Sequence, residues 1–278
     1  MTDATELLSG LNEAQHAGVV HEGEPLIVLA GPGTGKTRVI VHRIAYMIGH
    51  RQIDPAAIVA VTFTNKAAGE LRERLAGLVG PAAADSVHAH TFHGFGLRLL
   101  RRFPDLSGVG ANPEIIDSAQ RRRLLRQLVG EHRVYGPMLA LGADALLDEA
   151  GKLFDVFRHN ALSPEACGEF ARVWGDRLEG GLGSDETAID EVELAAQREE
   201  RARFAAHARL YELFEEACGE RGWLTIDDLI LKPTRLLLKH ERVRAICRHE
   251  YRHFVVDEFQ DVNLSQIEFV RALAPPEE

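Results

Sequence analysis

Cysteine is scarce in this chain: three residues in 278, at positions 167, 218 and 247. An odd, scattered set argues against a disulfide framework and offers no zinc-ribbon spacing. Long hydrophobic runs are missing too, and none approaches the ~20 residues that a membrane-spanning helix needs. Met1-Thr-Asp-Ala-Thr-Glu6 has neither the basic start nor the apolar stretch of a secretory signal. The expectation is a cytoplasmic protein with no membrane partner. Positive charge is also in deficit, with 32 Lys and Arg against 42 Asp and Glu and a net charge of −10. That balance argues against indiscriminate nucleic-acid binding. Its distribution is uneven: residues 88–133 hold eight arginines against four acids, and residues 176–200 hold nine acids against two arginines. Screening acts over about 8 Å at physiological salt, so a basic groove on an acidic protein is allowed.

Two short segments carry the chemistry. Ala30-Gly-Pro-Gly-Thr-Gly-Lys-Thr37 follows an apolar run, Leu26 to Ala30, and precedes a helical pattern at Val39, Ile40, Ile44, Met47 and Ile48. Gly31, Gly33 and Gly35 let the backbone curl around Thr34 and aim successive N–H groups at phosphate oxygens. The helix that starts near Lys36 adds its positive end. Lys36 can reach the β- and γ-phosphates of a nucleotide, and the Thr37 hydroxyl can ligate Mg²⁺. The strict pattern places glycine at position 30, where this chain has alanine. The second segment, Val255-Val-Asp-Glu-Phe-Gln-Asp261, reads as an apolar strand that ends in paired carboxylates. Asp257 would hold Mg²⁺ through water, and Glu258 would orient and deprotonate an attacking water. Alone, such an acid pair reads more simply as a solvated turn; beside a phosphate loop it reads as a site for ATP and Mg²⁺.

The spacing predicts a discontinuous domain. Leu26–Ala30, Ile58–Phe63 and Ser86–His90 alternate with helical patterns, which implies a parallel sheet with helices on both faces. Asn65 is the expected cap of the helix carrying Ala68, Leu71, Leu75 and Leu78. From about Leu106 to Arg221 no strand is expected, only helices. One starts at Ser163-Pro164-Glu165, Gly180 to Ser184 forms a link, and Thr187 to Glu220 makes one long charged helix. Thr225-Ile-Asp-Asp228 has capping-box spacing. The sheet returns at Phe254. Lys36 and Asp257 are 257 − 36 = 221 positions apart, so a shared site requires an insertion. The expected division is an α/β domain over 1–105 and 222–278, interrupted by a helical insertion over 106–221.

Five segments in order resemble the UvrD/Rep-type superfamily 1 DNA helicases. They are Leu11-Asn-Glu-Ala-Gln15, Ala30 to Arg38, Val61 to Leu71, His90-Thr-Phe-His-Gly-Phe95 and Val256 to Asn263. The resemblance implies a RecA-like, P-loop ATPase domain with an inserted helical subdomain. It implies adenine contact by Gln15, nucleotide contact by Arg38, and γ-phosphate sensing or coupling by Gln260. It further implies that Phe63, Thr64, Asn65, Lys66, Thr91 and His93 face single-stranded DNA, with Phe63 stacking on a base. Stacking contributes about 1–3 kcal/mol per base without sequence preference, as a translocating motor requires. Plainer readings stand beside these. Phe63 could be core, and His88, His90 and His93 could be metal ligands. The arginines at 98, 101, 102, 121, 122, 123 and 126 read more simply as solvated helix faces than as DNA contacts. Asp227-Asp228 reads as helix capping.

The family continues with a Gly-Asp-x-x-Gln segment, a second RecA-like domain and an arginine that completes the ATP site, none of which occurs here. The resemblance therefore implies the N-terminal half of an ATP-dependent 3′-to-5′ helicase, acting on single-stranded or 3′-tailed duplex DNA. Its missing domains would lie in the same or another chain, and this part alone would have weak or no activity. A stand-alone ATP- or DNA-binding module is the alternative.

Overall fold

The computed structural model describes residues 7–109, 113–180 and 191–274. In chain order the main elements are α1 (Glu13–Val20), α2 (Lys36–Gly49), β1 (Ile58–Thr62), α3 (Asn65–Val79), α4 (Pro81–Ser86), β2 (His88–Thr91) and α5 (Phe92–Arg102). Then come β3 (Glu114–Ile115), α6 (Ser118–His132), α7 (Ala143–His159), α8 (Pro164–Gly180) and α9 (Glu191–Arg221). The chain closes with β4 (Trp223–Leu224), α10 (Asp228–Lys239), α11 (Glu241–Glu250), β5 (His253–Val256) and α12 (Leu264–Leu273). They divide into two units, one built from 1–99, 232–262 and 266–278, the other from 100–231 and 263–265.

The first unit is α/β. Its sheet has the order β2-β1-β5, all parallel. β1 lies in the middle and every residue of it is buried, which is why Ile58-Val-Ala-Val is an unbroken apolar run rather than an alternating one. α3 places Ala68, Leu71 and Leu75 on one buried stripe. Leu71 and Leu75 join Ile44, Ala45 and Met47 of α2, Ile58 and Ala60 of β1 and Ala89 of β2 in a single core.

One expected strand does not form. Leu26 to Ala30 makes no ladder among the described residues, and Leu26, Ile27, Val28 and Leu29 are all exposed, Leu29 by 91%. Both edges of β1 are occupied by β2 and β5. A strand preceding the glycine loop could pair only at an outer edge, and apolar composition does not supply a hydrogen-bonding partner.

The second unit is helical apart from one short ribbon. Tyr135, Leu146, Phe154, Phe157, Leu210, Tyr211 and Phe214 fill its core, with the Phe154 and Tyr211 ring centres 4.9 Å apart. The expectation of no strand here is corrected by β3, which pairs in parallel with β4. Two residues are too few to show a period, and the register is held by Trp223 Nε1 donating to Glu114 Oε2 at 3.0 Å. The long helix runs Glu191–Arg221, while Thr187 to Asp190 and the link from Gly181 to Ser184 lie outside the described residues. Three of the arginines in the basic stretch face α7: Arg121 pairs with Asp155 at 2.8 Å, Arg122 with Asp144 and Asp148, and Arg126 with Asp144 at 2.7 Å. Arg122 and Arg126 do so in solvent, where each bridge contributes little.

Two buried polar clusters organise this unit. Arg158 of α7 is 1% exposed and pairs with Glu215 of α9 and, at 3.3 Å, with Asp228 of α10. It also donates to Thr225 Oγ1 at 2.5 Å. Asp228 in turn accepts from the Thr225 backbone at 2.7 Å, so the capping residue doubles as a counter-ion. Burial alone would push the guanidinium's pKa down, but Asp228 and Glu215 outweigh it and the pKa is raised. Arg158→Ala should therefore leave two buried carboxylates without a cation and cost about 3–5 kcal/mol. Both tryptophans, Trp174 and Trp223, belong to the helical unit, so urea unfolding followed by their fluorescence measures this loss.

The second cluster is His207, which shares a 2.8 Å hydrogen bond through Nδ1 with the Tyr135 hydroxyl. Its Nε2 stands 3.5 Å from Glu149, which also attracts Arg203 at 3.8 Å. Burial pushes the imidazole below its ordinary value, against the pull of Glu149. The unfolded chain then binds the extra proton more readily, so stability is full above the unfolded value and falls as pH drops through about 6.5. The same tryptophan signal should show a lower urea midpoint at about pH 5.5 than at about pH 7.5, with a smaller difference in His207→Gln.

Candidate functional site

The glycine loop is braced from the helix that precedes it. α1 begins with a reciprocal capping box, in which Asn12 Oδ1 accepts from Gln15 N at 2.9 Å and Gln15 Oε1 accepts from Asn12 N at 3.1 Å. The remaining end of the Gln15 amide donates to Thr34 O at 3.0 Å. One side chain thus joins the start of α1 to the tip of the loop. The loop itself turns through φ of +75° at Gly33 and +91° at Gly35, and Gly35 caps α2. Thr34 Oγ1 donates back to Gly31 O at 2.7 Å. Lys36 curls its ammonium over the loop, donating to Ala30 O and Gly31 O at 3.1 Å each. Thr37 is half-buried in the first turn of α2, and Arg38 is exposed beside it.

The acid pair arrives through backbone pairing. Val61 of β1 lies opposite Val256 of β5, and Asp257 N donates to Val61 O at 2.9 Å. Asp257 is half-buried, and its Oδ1 accepts from Glu258 N at 3.0 Å. Burial raises its pKa above the usual carboxylate range, and the Glu258 charge adds to the rise. The Glu258 N–H and the Lys36 ammonium oppose it. Lys36 and Asp257 therefore act on one another although 221 positions separate them (257 − 36). Glu258 holds a left-handed backbone, φ +51° and ψ +48°, a strain of about 1–2 kcal/mol for a residue with a side chain. The carboxylate is exposed and accepts from Gln260 Nε2 at 2.5 Å.

A second group gathers where β1 and β2 end, since Thr62 lies opposite Thr91. Phe63 is 65% exposed, which sets aside the reading of it as core. The buried Thr62 hydroxyl donates to Thr64 O at 3.0 Å. Thr64 Oγ1 accepts from Ala67 N at 3.1 Å, so Thr64 caps α3 where Asn65 was expected to. Asn65 is left exposed in the first turn. Lys66 is exposed near Glu70, at 3.8 Å. Thr91 Oγ1 accepts from Gly94 N at 3.1 Å, and His93 is half-buried at the start of α5. No group of three metal-ligating side chains is assembled among the described residues, so His88, His90 and His93 do not converge on an ion.

Residues 11–278 match the UvrD/REP helicase N-terminal domain family. The chain belongs to that family. It is 36% identical over 276 residues to the ATP-dependent DNA helicase UvrD1 of Mycobacterium tuberculosis (strain ATCC 25618 / H37Rv), an alignment covering 97% of this chain and 31% of the relative. It is 30% identical to the ATP-dependent DNA helicase PcrA of Bacillus subtilis (strain 168), over 98% of this chain and 32% of the relative. It is also 30% identical to DNA helicase II of Escherichia coli (strain K12), over 98% of this chain and 33% of the relative. The chain spans about a third of the length of the curated relatives it matches.

In this UvrD/REP domain two features of the site leave no mark in sequence pattern. The brace from Gln15 to Thr34 depends on how α1 returns over the loop, and the left-handed backbone at Glu258 falls on a residue type that gives no signal for it. The brace has a testable consequence. A Cβ added to Gly35 would stand 2.9 Å from Gln15 Nε2, whereas one added to Gly33 would meet nothing within 4 Å. Both substitutions incur the left-handed backbone cost of about 1–2 kcal/mol, and only Gly35→Ala also displaces Gln15. In thermal unfolding of the α/β unit, Gly35→Ala should be the more destabilising of the two. Gln15→Ala should erase most of the difference between them.

Proposed function

We propose that this chain is the ATP-binding and DNA-gripping front portion of a 3′-to-5′ DNA helicase, a RecA-like P-loop domain interrupted by a helical insertion. The observation that carries the reading is that Asp257, placed by β1–β5 pairing, lies close enough to Lys36 for the ammonium to act on its carboxyl. The residues suit a magnesium nucleotide. Gly31, Gly33 and Gly35 expose a curled backbone, and the Lys36 ammonium is within the curl. The raised pKa of Asp257 marks a surplus of negative charge that a cation would relieve. Mg²⁺ would supply charge neutralisation for phosphoryl transfer and would be held by Thr37 and, through water, Asp257.

The chain's own groups then divide the work. Lys36 binds the β- and γ-phosphates in place of the loop carbonyls it now contacts. Glu258, held outward by its left-handed backbone, accepts the proton of the attacking water. Gln260, already bonded to Glu258, reports the state of the γ-phosphate. Gln15 has an amide at the loop's edge to meet an adenine, and Arg38 flanks the phosphates from the first turn of α2. Phe63 offers a face to a base, while Thr64, Asn65, Lys66, Thr91 and His93 line the adjoining strand ends, where open α/β sheets place ligands. The substrate is single-stranded or 3′-tailed duplex DNA, and the domains that complete the motor are supplied elsewhere.

Lys36→Ala should abolish binding of a fluorescent ATP analogue without changing the thermal midpoint by more than a few degrees. Glu258→Gln should keep the affinity and lose turnover, because its role is confined to the transition state. Turnover by wild type alone should be slow and barely stimulated by single-stranded DNA, since an absent arginine can lower such rates by about 10³ or more. Equal analogue affinity in wild type and Lys36→Ala overturns the assignment of the loop.

A further inference from the structure

A cavity of about 490 Å³ opens along the outer edge of β2, lined by Arg72, Asp85, Ser86, His88, His90 and Arg98. It begins at the entry end of the strand, reaching back to Ala56 just before β1. The Lys36 loop and the exposed Phe63 stand at the strands' other ends, so neither belongs to this recess. Its walls come from four elements: α3 brings Arg72, α4 brings Asp85 and Ser86, β2 brings the two histidines and α5 brings Arg98.

Positive charge dominates the lining. Alternation along β2 puts His88 and His90 on one face, with ring centres 6.3 Å apart and planes 19° from parallel. His88 is packed edge-on against Tyr251, and His90 is stacked against Phe95, so both rings are fixed in place rather than free to swing out. Arg72 donates through Nη2 to Ala89 O at 2.9 Å, which orients its guanidinium and leaves further N–H groups for the cavity. Arg98 is exposed and has no acid within 4 Å among the described residues. Asp85 is the one acid of the lining. Burial, chiefly, pushes the His90 imidazole below its ordinary value, and the positive charges of His88, Arg98 and Arg72 add to the fall.

We propose that this recess binds a phosphate dianion, gripped by the guanidinium groups of Arg72 and Arg98 and flanked by the imidazoles of His88 and His90. Guanidinium forks match the oxygens of phosphate in pairs, and two of them across a cavity favour a compact, doubly charged anion over a single carboxylate. Binding should draw a proton onto His90, because an anion among Arg72, Arg98 and His88 offsets the positive charges that now disfavour the charged ring. A free phosphate compound and the terminal phosphate of a polynucleotide share this chemistry. The site is independent of the nucleotide loop and survives the failure of that reading.

The test is side-chain ¹H–¹⁵N spectroscopy of the histidines in the Lys36→Ala protein, which takes the loop's lysine out of the measurement. His88→Gln and His90→Gln assign the signals. Inorganic phosphate, a 5′-phosphorylated oligothymidylate and the same oligonucleotide without its terminal phosphate are each titrated at fixed ionic strength against chloride. Saturable shifts of both rings with phosphate or with the phosphorylated end, weakened at least about tenfold in Arg98→Ala, support the site, and whichever probe binds more tightly identifies the source. Shifts equal to those in chloride, shifts produced by the unphosphorylated oligonucleotide alone, or shifts undiminished in Arg98→Ala overturn it. Arg98 is exposed, so its loss leaves the fold intact and the comparison remains decisive.

Discussion

Everything at the candidate site depends on one backbone pairing, that of β1 with β5. Val61 opposite Val256, continued by the Asp257 N–H to the Val61 carbonyl, fixes where the acid pair emerges. Because side chains alternate along a strand, a slip of one residue would turn Asp257 to the opposite face. The register is protected by burial: all of β1 is enclosed, and a shifted β5 would present different side chains to Phe95, whose ring contacts Phe254, Phe269 and Tyr251. Packing on one side of the sheet thus secures chemistry at its end.

Charge at the site is arranged as a tension. The lysine is satisfied by carbonyl oxygens of its own loop, and the half-buried aspartate is held above its ordinary pKa by burial and by its glutamate neighbour. Neither group is fully paired by the other. Such an arrangement retains affinity for a partner that carries both signs, phosphate oxygens for the ammonium and a divalent cation for the carboxylate. A direct, closed Lys–Asp ion pair would have removed the incentive to bind either.

Much of this was legible in the sequence for identifiable reasons. The central strand announced itself as an apolar run because both its faces are covered. The glycines at 33 and 35 marked positions of positive φ, where their residue type is close to required. The capping arrangement at the start of α10 followed from local spacing. Where the reading failed, the deciding fact was nonlocal. Leu26 to Ala30 has strand composition, but it pairs with neither outer edge of the sheet among the described residues. Two-residue β3 forms where the chain at 114–116 meets Trp223 and Leu224, more than a hundred positions away. Thr64 rather than Asn65 became the cap because Thr64 holds the extended backbone before the helix and its hydroxyl reaches Ala67 N. The arginines of α6 read as a solvated helix face, and the acids of α7 that pair with three of them lie in a distant stretch of sequence.

The cluster around Arg158 constrains how this chain can diverge. Its four participants lie at 158, 215, 225 and 228, and three of them carry charge in a nearly dry interior. An ancestral chain could not exchange the Arg158 cation for a neutral group at little cost, since the intermediate leaves two carboxylates in the interior without their cation. Replacement of the set by apolar residues requires several changes at once. The positions are therefore expected to drift as a block across related sequences, preserved together in one lineage and lost together in another, while the exposed bridges between α6 and α7 turn over one at a time.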